Sequence, residues 1–128
     1  LENAPEGYVN CDYSYLIGST ADNLSYAISE EEYGCQQLYA KAEETALNEG
    51  FDSIASTFKH IKNAEEHHAR RFKILYENIT NKTVFEKETE QNWFCTRCGY
   101  VYNDKNAPNY CPNCYALKSF FEIMCEKY

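Results

Sequence analysis

No run of about 18 apolar residues occurs in the chain, so nothing in it reads as a membrane span. Basic residues are scarce: 12 Lys and Arg stand against 20 Asp and Glu, for a formal net charge of −8. That balance argues against a nucleic-acid or anionic-membrane partner, since both require a basic surface. No apolar signal segment opens the chain, and residue 1 is leucine and not methionine, as in a processed or truncated chain. Proline is rare, with 3 in all. The 7 cysteines are an odd number, and four of them form two Cys-x-x-Cys pairs while Cys11, Cys35 and Cys125 are scattered. This pattern does not suit a secreted disulfide framework. It fits a reducing cytosol and a metal site, so a cytoplasmic protein is expected. At 44% hydrophobic and 16% aromatic the composition is globular, and 128 residues suffice for one ordinary domain or two small ones.

Residues 1–19 read as an irregular lead-in with Pro5, Gly7 and Gly18. Residues 20–79 carry two helical patterns. Leu24, Ile28, Glu31, Cys35, Leu38, Ala42 and Thr45 recur by fours and threes and so share one helix face, with Thr20 or Asp22 as a cap and Gly50 as the terminator. Asp52 is the expected cap of a second helix, on which Ile54, Phe58, Ile61, Glu65, His68, Phe72, Leu75 and Ile79 form the longest stripe in the chain. The short connection around Gly50 makes the two helices antiparallel neighbours. Residues 80–92 are polar and read as a linker. Residues 93–128, with Gly99, Pro108 and Pro112 and no helical stripe, read as turns and short strands organised by a metal. The expected fold is α+β in two small parts: a helical hairpin, half of a four-helix bundle, followed by a small β module.

Glu31, Glu65 and His68 fall on faces that periodicity assigns to the interior. A buried carboxylate must be neutralised, paired or bound to metal. Glu65 and His68 form Glu-x-x-His, whose i, i+3 spacing aims both groups at one point, and Glu31 lies on the facing helix within about a turn of that level. One Glu on one helix and a Glu-x-x-His on its neighbour make half of a carboxylate-bridged di-iron site. The bland alternative is that these side chains reach out to water from thin helices. Glu30, Glu32, Glu66, His67 and His60 fall off the stripes and read as solvated. Two metals of this class need about six protein ligands, and a lone hairpin leaves its apolar stripe half covered. A second copy across a two-fold axis meets both needs with a homodimer. A preceding hairpin, lost from this chain or never included in it, would meet them too.

Cys95-x-x-Cys98, twelve residues, and Cys111-x-x-Cys114 supply four thiolates for one ion. Tetrahedral sulfur suits zinc and iron alike. The segment is too short to fold on an apolar core alone, so metal binding contributes to its folding. Trp93, Phe94, Tyr100, Tyr102, Phe120 and Phe121 are available to shield such a centre.

Taken together, these residues resemble the rubrerythrin family, in which a ferritin-like di-iron bundle precedes a rubredoxin-like domain. Ile17 to Leu24 looks like the entry into the family's third helix. Glu31 matches its bridging glutamate, and Tyr39 a tyrosine near the metals. Gly50-Phe51 and Ala64-Glu65-Glu66-His67-His68 through Arg71-Phe72 look like the fourth helix. Val84-Phe85, Trp93, Cys98-Gly99-Tyr100-Val101, Ala107-Pro108 and Cys111-Pro112 resemble the linker and the rubredoxin-like part. The resemblance implies an oxidoreductase of peroxide stress, with di-iron ligated by Glu31, Glu65 and His68, and an electron-transfer iron on Cys95, Cys98, Cys111 and Cys114. It also implies hydrogen peroxide as substrate and an external reductase as electron donor. The family's first two helices have no counterpart here, and Gly34 stands where the family has a second glutamate ligand. Two other readings stay open: an electron carrier or metal-binding module whose hairpin only dimerises, and a ferroxidase.

Overall fold

The structure, a computed structural model, describes residues 17–126. Most of the expected lead-in, with Cys11, lies outside the described residues.

Helix α1 (Thr20–Tyr33) starts at Ser19, whose Oγ accepts a hydrogen bond from the Asp22 N–H at 3.2 Å while the Asp22 carboxylate accepts from the Ser19 N–H at 3.0 Å. This reciprocal box satisfies two of the N–H groups that a helix start leaves unpaired, and it holds the Asp22 carboxyl below its usual pKa. Thr20 or Asp22 was the expected cap. Ser19 takes that place because its hydroxyl is the one within reach of the third helical residue, and Asp22 is its partner.

The helical run does not continue regularly to Gly50. Residues Gly34–Leu38 form a π-turn, after which α2 (Tyr39–Asn48) resumes, and the Tyr39 N–H donates to the Gly34 carbonyl five residues back. A π-turn adds one residue without a matching rotation of the helix face, so every later position slips by one. Leu38 and Thr45, expected inside, are exposed; Tyr39 is half-buried and Ala46 buried in their stead.

The α2 terminus closes with the Gly50 N–H on the Leu47 carbonyl (3.1 Å) and the Phe51 N–H on the Ala46 carbonyl (2.8 Å), with Gly50 at φ +79°. This is a Schellman end, and only glycine adopts that φ without cost. Because Phe51 is used in the closure, it occupies the N-cap position of α3 (Asp52–Thr80), and Asp52 becomes the first helical residue. There its carboxylate favours the positive end of the helix dipole. The far end of α3 repeats the motif, with Lys82 at φ +59° and the Thr83 N–H on the Asn78 carbonyl at 2.8 Å.

The hairpin buries only small side chains, among them Cys35, Ala46, Ala55 and Ala69. Leu38, Ile54 and Leu75 are 52%, 47% and 48% exposed, so its apolar stripe is wider than one neighbouring helix covers. Among the described residues, no helix is long and apolar enough to cross a membrane.

Strands β1 (Glu86–Cys95), β2 (Val101–Asn106) and β3 (Phe121–Ile123) form one antiparallel sheet in the order β2-β1-β3. Most of the segment expected as a linker therefore belongs to β1. Of its charged residues only Glu86 has a register partner on β2, Asn106; Lys87, Glu88 and Glu90 fall in the register shift between Glu86 and Gln91, the glutamates exposed and Lys87 half-buried. Polar side chains on both faces hid the strand from a search for alternating hydrophobicity. The sheet's core gathers Trp93, Cys95, Ala107, Cys111, Ala116 and Phe121. The Trp93 ring is 1% exposed, and its Nε1–H donates to the Asp104 carbonyl at 2.9 Å.

Candidate metal centres

The two Cys-x-x-Cys loops have the same backbone. The Gly99 N–H donates to the Cys95 carbonyl and the Tyr115 N–H to the Cys111 carbonyl, at 2.8 and 2.9 Å. The Cys95 and Cys111 N–H groups in turn donate to Tyr100 and Ala116, at 2.9 and 2.8 Å. The residue after each second cysteine is left-handed: Gly99 at φ +79°, Tyr115 at φ +59°. The pairs thereby face each other, with Cys95 Sγ 3.8 Å from Cys114 Sγ and Cys98 Sγ 3.6 Å from Cys111 Sγ. These separations are far beyond a disulfide bond. They match the edge of a tetrahedron with metal–sulfur bonds of about 2.3 Å, which is about 3.8 Å. The donor set fits one zinc or iron ion.

Cys95 and Cys111 are buried, whereas Cys98 is exposed. The Asn113 side chain and the Tyr100 backbone donate to Cys98 and lower its pKa to about 6. At Cys114 the Ala116 N–H also favours the thiolate, but burial and the three neighbouring sulfurs prevail and push its pKa up to about 12. Asn113 had no signature in the sequence; only the closed second loop brings it to the sulfur.

The second group lies between α1 and α3. Glu31, Glu65 and His68 each offer a ligand atom, and these atoms all lie within 4.8 Å of one another. His68 Nδ1 is 3.2 Å from a Glu65 oxygen and 3.5 Å from a Glu31 oxygen, which makes Nδ1 the nitrogen that faces both carboxylates. Burial raises the Glu31 pKa, and the neighbouring Glu65 carboxyl raises it further against the opposing pull of His68. Two carboxylates and an imidazole converging on one point fit a hard or borderline cation. The His68 side chain is 47% exposed and the two glutamates 21%, so the group opens toward solvent on one side. Of the residues read as solvated, Glu30, His60, Glu66 and His67 are exposed, whereas Glu32 is half-buried and pairs with Lys73. The ring of Tyr39, placed by the π-turn, lies near Glu65 and stacks on Phe58 at a centroid distance of 6.2 Å.

Comparison with known proteins covers both parts of the chain. The rubrerythrin family model matches residues 6–76, and the model of the rubrerythrin rubredoxin-like domain matches residues 93–122. Rubrerythrin of Porphyromonas gingivalis is 41% identical over 113 residues, covering 88% of this chain and 56% of that protein. Rubrerythrin-1 of Clostridium acetobutylicum is 37% identical over 116 residues, covering 91% of this chain and 60% of that protein. The chain thus spans little more than half the length of these relatives. A solved structure of nigerythrin in a mixed-valence state has a similar fold, with a TM-score of 0.51 at 24% identity, over 94% of this chain and 56% of that one. On the strength of the family match and these identities, the chain belongs to the rubrerythrin family.

Proposed function

We propose that this chain is a non-haem iron redox protein that reduces hydrogen peroxide at a metal pair held between two copies of the hairpin. The observation that carries this reading is the convergence of Glu31, Glu65 and His68 within 4.8 Å, beside an apolar flank that the hairpin itself does not cover. Three ligands are half of the set that a carboxylate-bridged pair needs, and a two-fold axis doubles them to six. When bound, the iron pair supplies the two electrons that cleave the O–O bond, and the cysteine-held iron supplies a relay from an external reductase. The chain's own residues do the positioning. Glu65 and His68 are fixed relative to each other by one turn of α3, and Glu31 by the capped start of α1 twelve residues earlier. A reducing compartment such as the cytoplasm keeps the four thiols available for the metal.

An electron-carrier reading, in which the hairpin serves only to dimerise, draws support from one observation. The cysteine module closes its core with Trp93, Ala107, Ala116 and Phe121 and borrows nothing from the helices.

Iron content and solution mass of the anaerobically reconstituted chain separate the two. The peroxidase reading expects a dimer with about two irons per chain, falling to about one when Glu31 and Glu65 are both replaced by Gln. It also expects peroxide to reoxidise both centres of the fully reduced protein. About one iron per chain, unchanged in the double Gln variant, would leave only the electron carrier.

A further inference from the structure

The described glycines are not equivalent. At Gly18 a Cβ would lie 2.9 Å from the Asp22 side chain, and Gly50 and Gly99 have φ of +79°. Glycine is favoured at each of these. Gly34 meets neither condition. Its backbone is ordinary right-handed helix (φ −53°), and the atoms nearest to a Cβ there would be Tyr39 Cε2 at 3.7 Å, Glu65 Cγ at 3.8 Å and Tyr39 Cδ2 at 3.8 Å. These are normal van der Waals separations. Glycine is also the poorest helix former after proline, so neither backbone, packing nor propensity favours it over alanine.

What distinguishes the position is where it looks. Residue 34 is three beyond Glu31 and so shares its helix face. It is buried, and its missing side chain would stand between the Tyr39 ring and the aliphatic part of Glu65. A residue here would therefore crowd, or add a donor to, whatever Glu31, Glu65 and His68 hold.

We infer that Gly34 sets the access side of the carboxylate–histidine centre. With no side chain at this position, a metal held by Glu31, Glu65 and His68 takes a small exogenous anion on the side bounded by Tyr39 and Glu65. The anion displaces a water ligand, and no electron moves. This inference rests on the metal-binding reading above and extends it to what the centre admits.

The test uses the full chain with its cysteines filled by one equivalent of zinc. Cobalt(II) is then added as the hairpin probe, and azide is titrated against the cobalt visible absorption. The wild-type spectrum is expected to change saturably with azide. Gly34→Glu should abolish that change while binding cobalt more tightly, and Gly34→Ala should weaken azide by about tenfold. Gly34→Ala should also melt no lower than wild type, which separates lost access from lost folding and serves if Gly34→Glu does not fold. Azide binding with equal affinity to wild type and to the side-chain variants, or no azide response in cobalt-loaded wild type, overturns the inference and leaves metal binding intact. Cobalt uptake that is absent, or insensitive to replacing Glu31 and Glu65 by Gln, overturns both.

Discussion

Deleting Gln36 tests whether the π-turn is a single inserted residue. Gln36 is exposed and lies within Gly34–Leu38. Removing it should turn the π-turn into regular α-helix and leave the faces of α1 and α2 in their present phase, with Tyr39 still stacked on Phe58. The stability change should then be that of a surface substitution, about 0.5 kcal/mol in either direction. The control is deletion of Asn63, equally exposed but in regular α3. With no slack to absorb it, that deletion rotates Glu65, His68, Ala69 and Phe72 by about 100° relative to Ala55 and Phe58. Half-buried Phe72 alone is worth about 1.5 kcal/mol or more, and buried Ala69 adds about another 0.8. The expected loss of about 2–4 kcal/mol is a large share of the 5–15 typical of a domain. Urea denaturation followed by helical circular dichroism reads both. If the Gln36 deletion costs as much as the Asn63 deletion, the extra-residue account of the π-turn is wrong.

In the cysteine module, Trp93→Phe removes the hydrogen bond to the Asp104 carbonyl and leaves a cavity where the larger indole packed, and should cost about 3 kcal/mol in denaturation of the metal-loaded protein. Chelation of the metal should unfold the module, seen as exposure of Trp93 fluorescence, while helical circular dichroism persists; unchanged fluorescence would contradict a metal-dependent core. Tyr115→Gly removes a side chain from a left-handed position and should stabilise the loaded module by about 1 kcal/mol, read as a higher Tm. For the metal-free protein, burial and the neighbouring Glu65 hold the folded Glu31 pKa above the ordinary glutamate value. The folded state therefore binds the proton more tightly, and stability falls as pH rises from about 4.5 through the raised folded value. Glu31→Gln should flatten that slope, and equal slopes in the two proteins would contradict the assigned shift.

Both groupings of candidate ligands were legible in the sequence because their spacing is local. Cys-x-x-Cys and Glu-x-x-His each bring two groups together within one turn, and Glu31 needed only the short Gly50 loop to reach the second pair. The inner face of the first helix was legible as far as Cys35 and misplaced beyond it. A π-turn leaves no mark in a pattern of threes and fours except a slip of one, which put Leu38 and Thr45 where Tyr39 and Ala46 belong. Both helix starts lie just before the expected caps: at α1 because the Ser19 hydroxyl is the one that reaches the Asp22 N–H, and at α3 because Phe51, which makes no side-chain cap, is fixed by the closure of α2. Strand β1 has no alternating apolar pattern in its first half, because that half is a register-shifted run of mostly exposed polar side chains.

That strand also changes how the two parts of the molecule are joined. A free chain across residues 80–92 would let the cysteine module wander over roughly 20 Å. Instead, only residues 81–85 separate α3 from β1. Lys87 Nζ ties the joint by donating to Asn78 Oδ1 at 3.1 Å and the Thr83 carbonyl at 2.6 Å, while the Ala107 N–H holds the Phe85 carbonyl at 2.9 Å. The joint behaves as a strut and not as a tether. Its conformational entropy is lost when the chain folds, before any encounter with another molecule. Lys87 therefore links the last turns of α3 directly to β1, and replacing it would loosen the joint without touching a single cysteine.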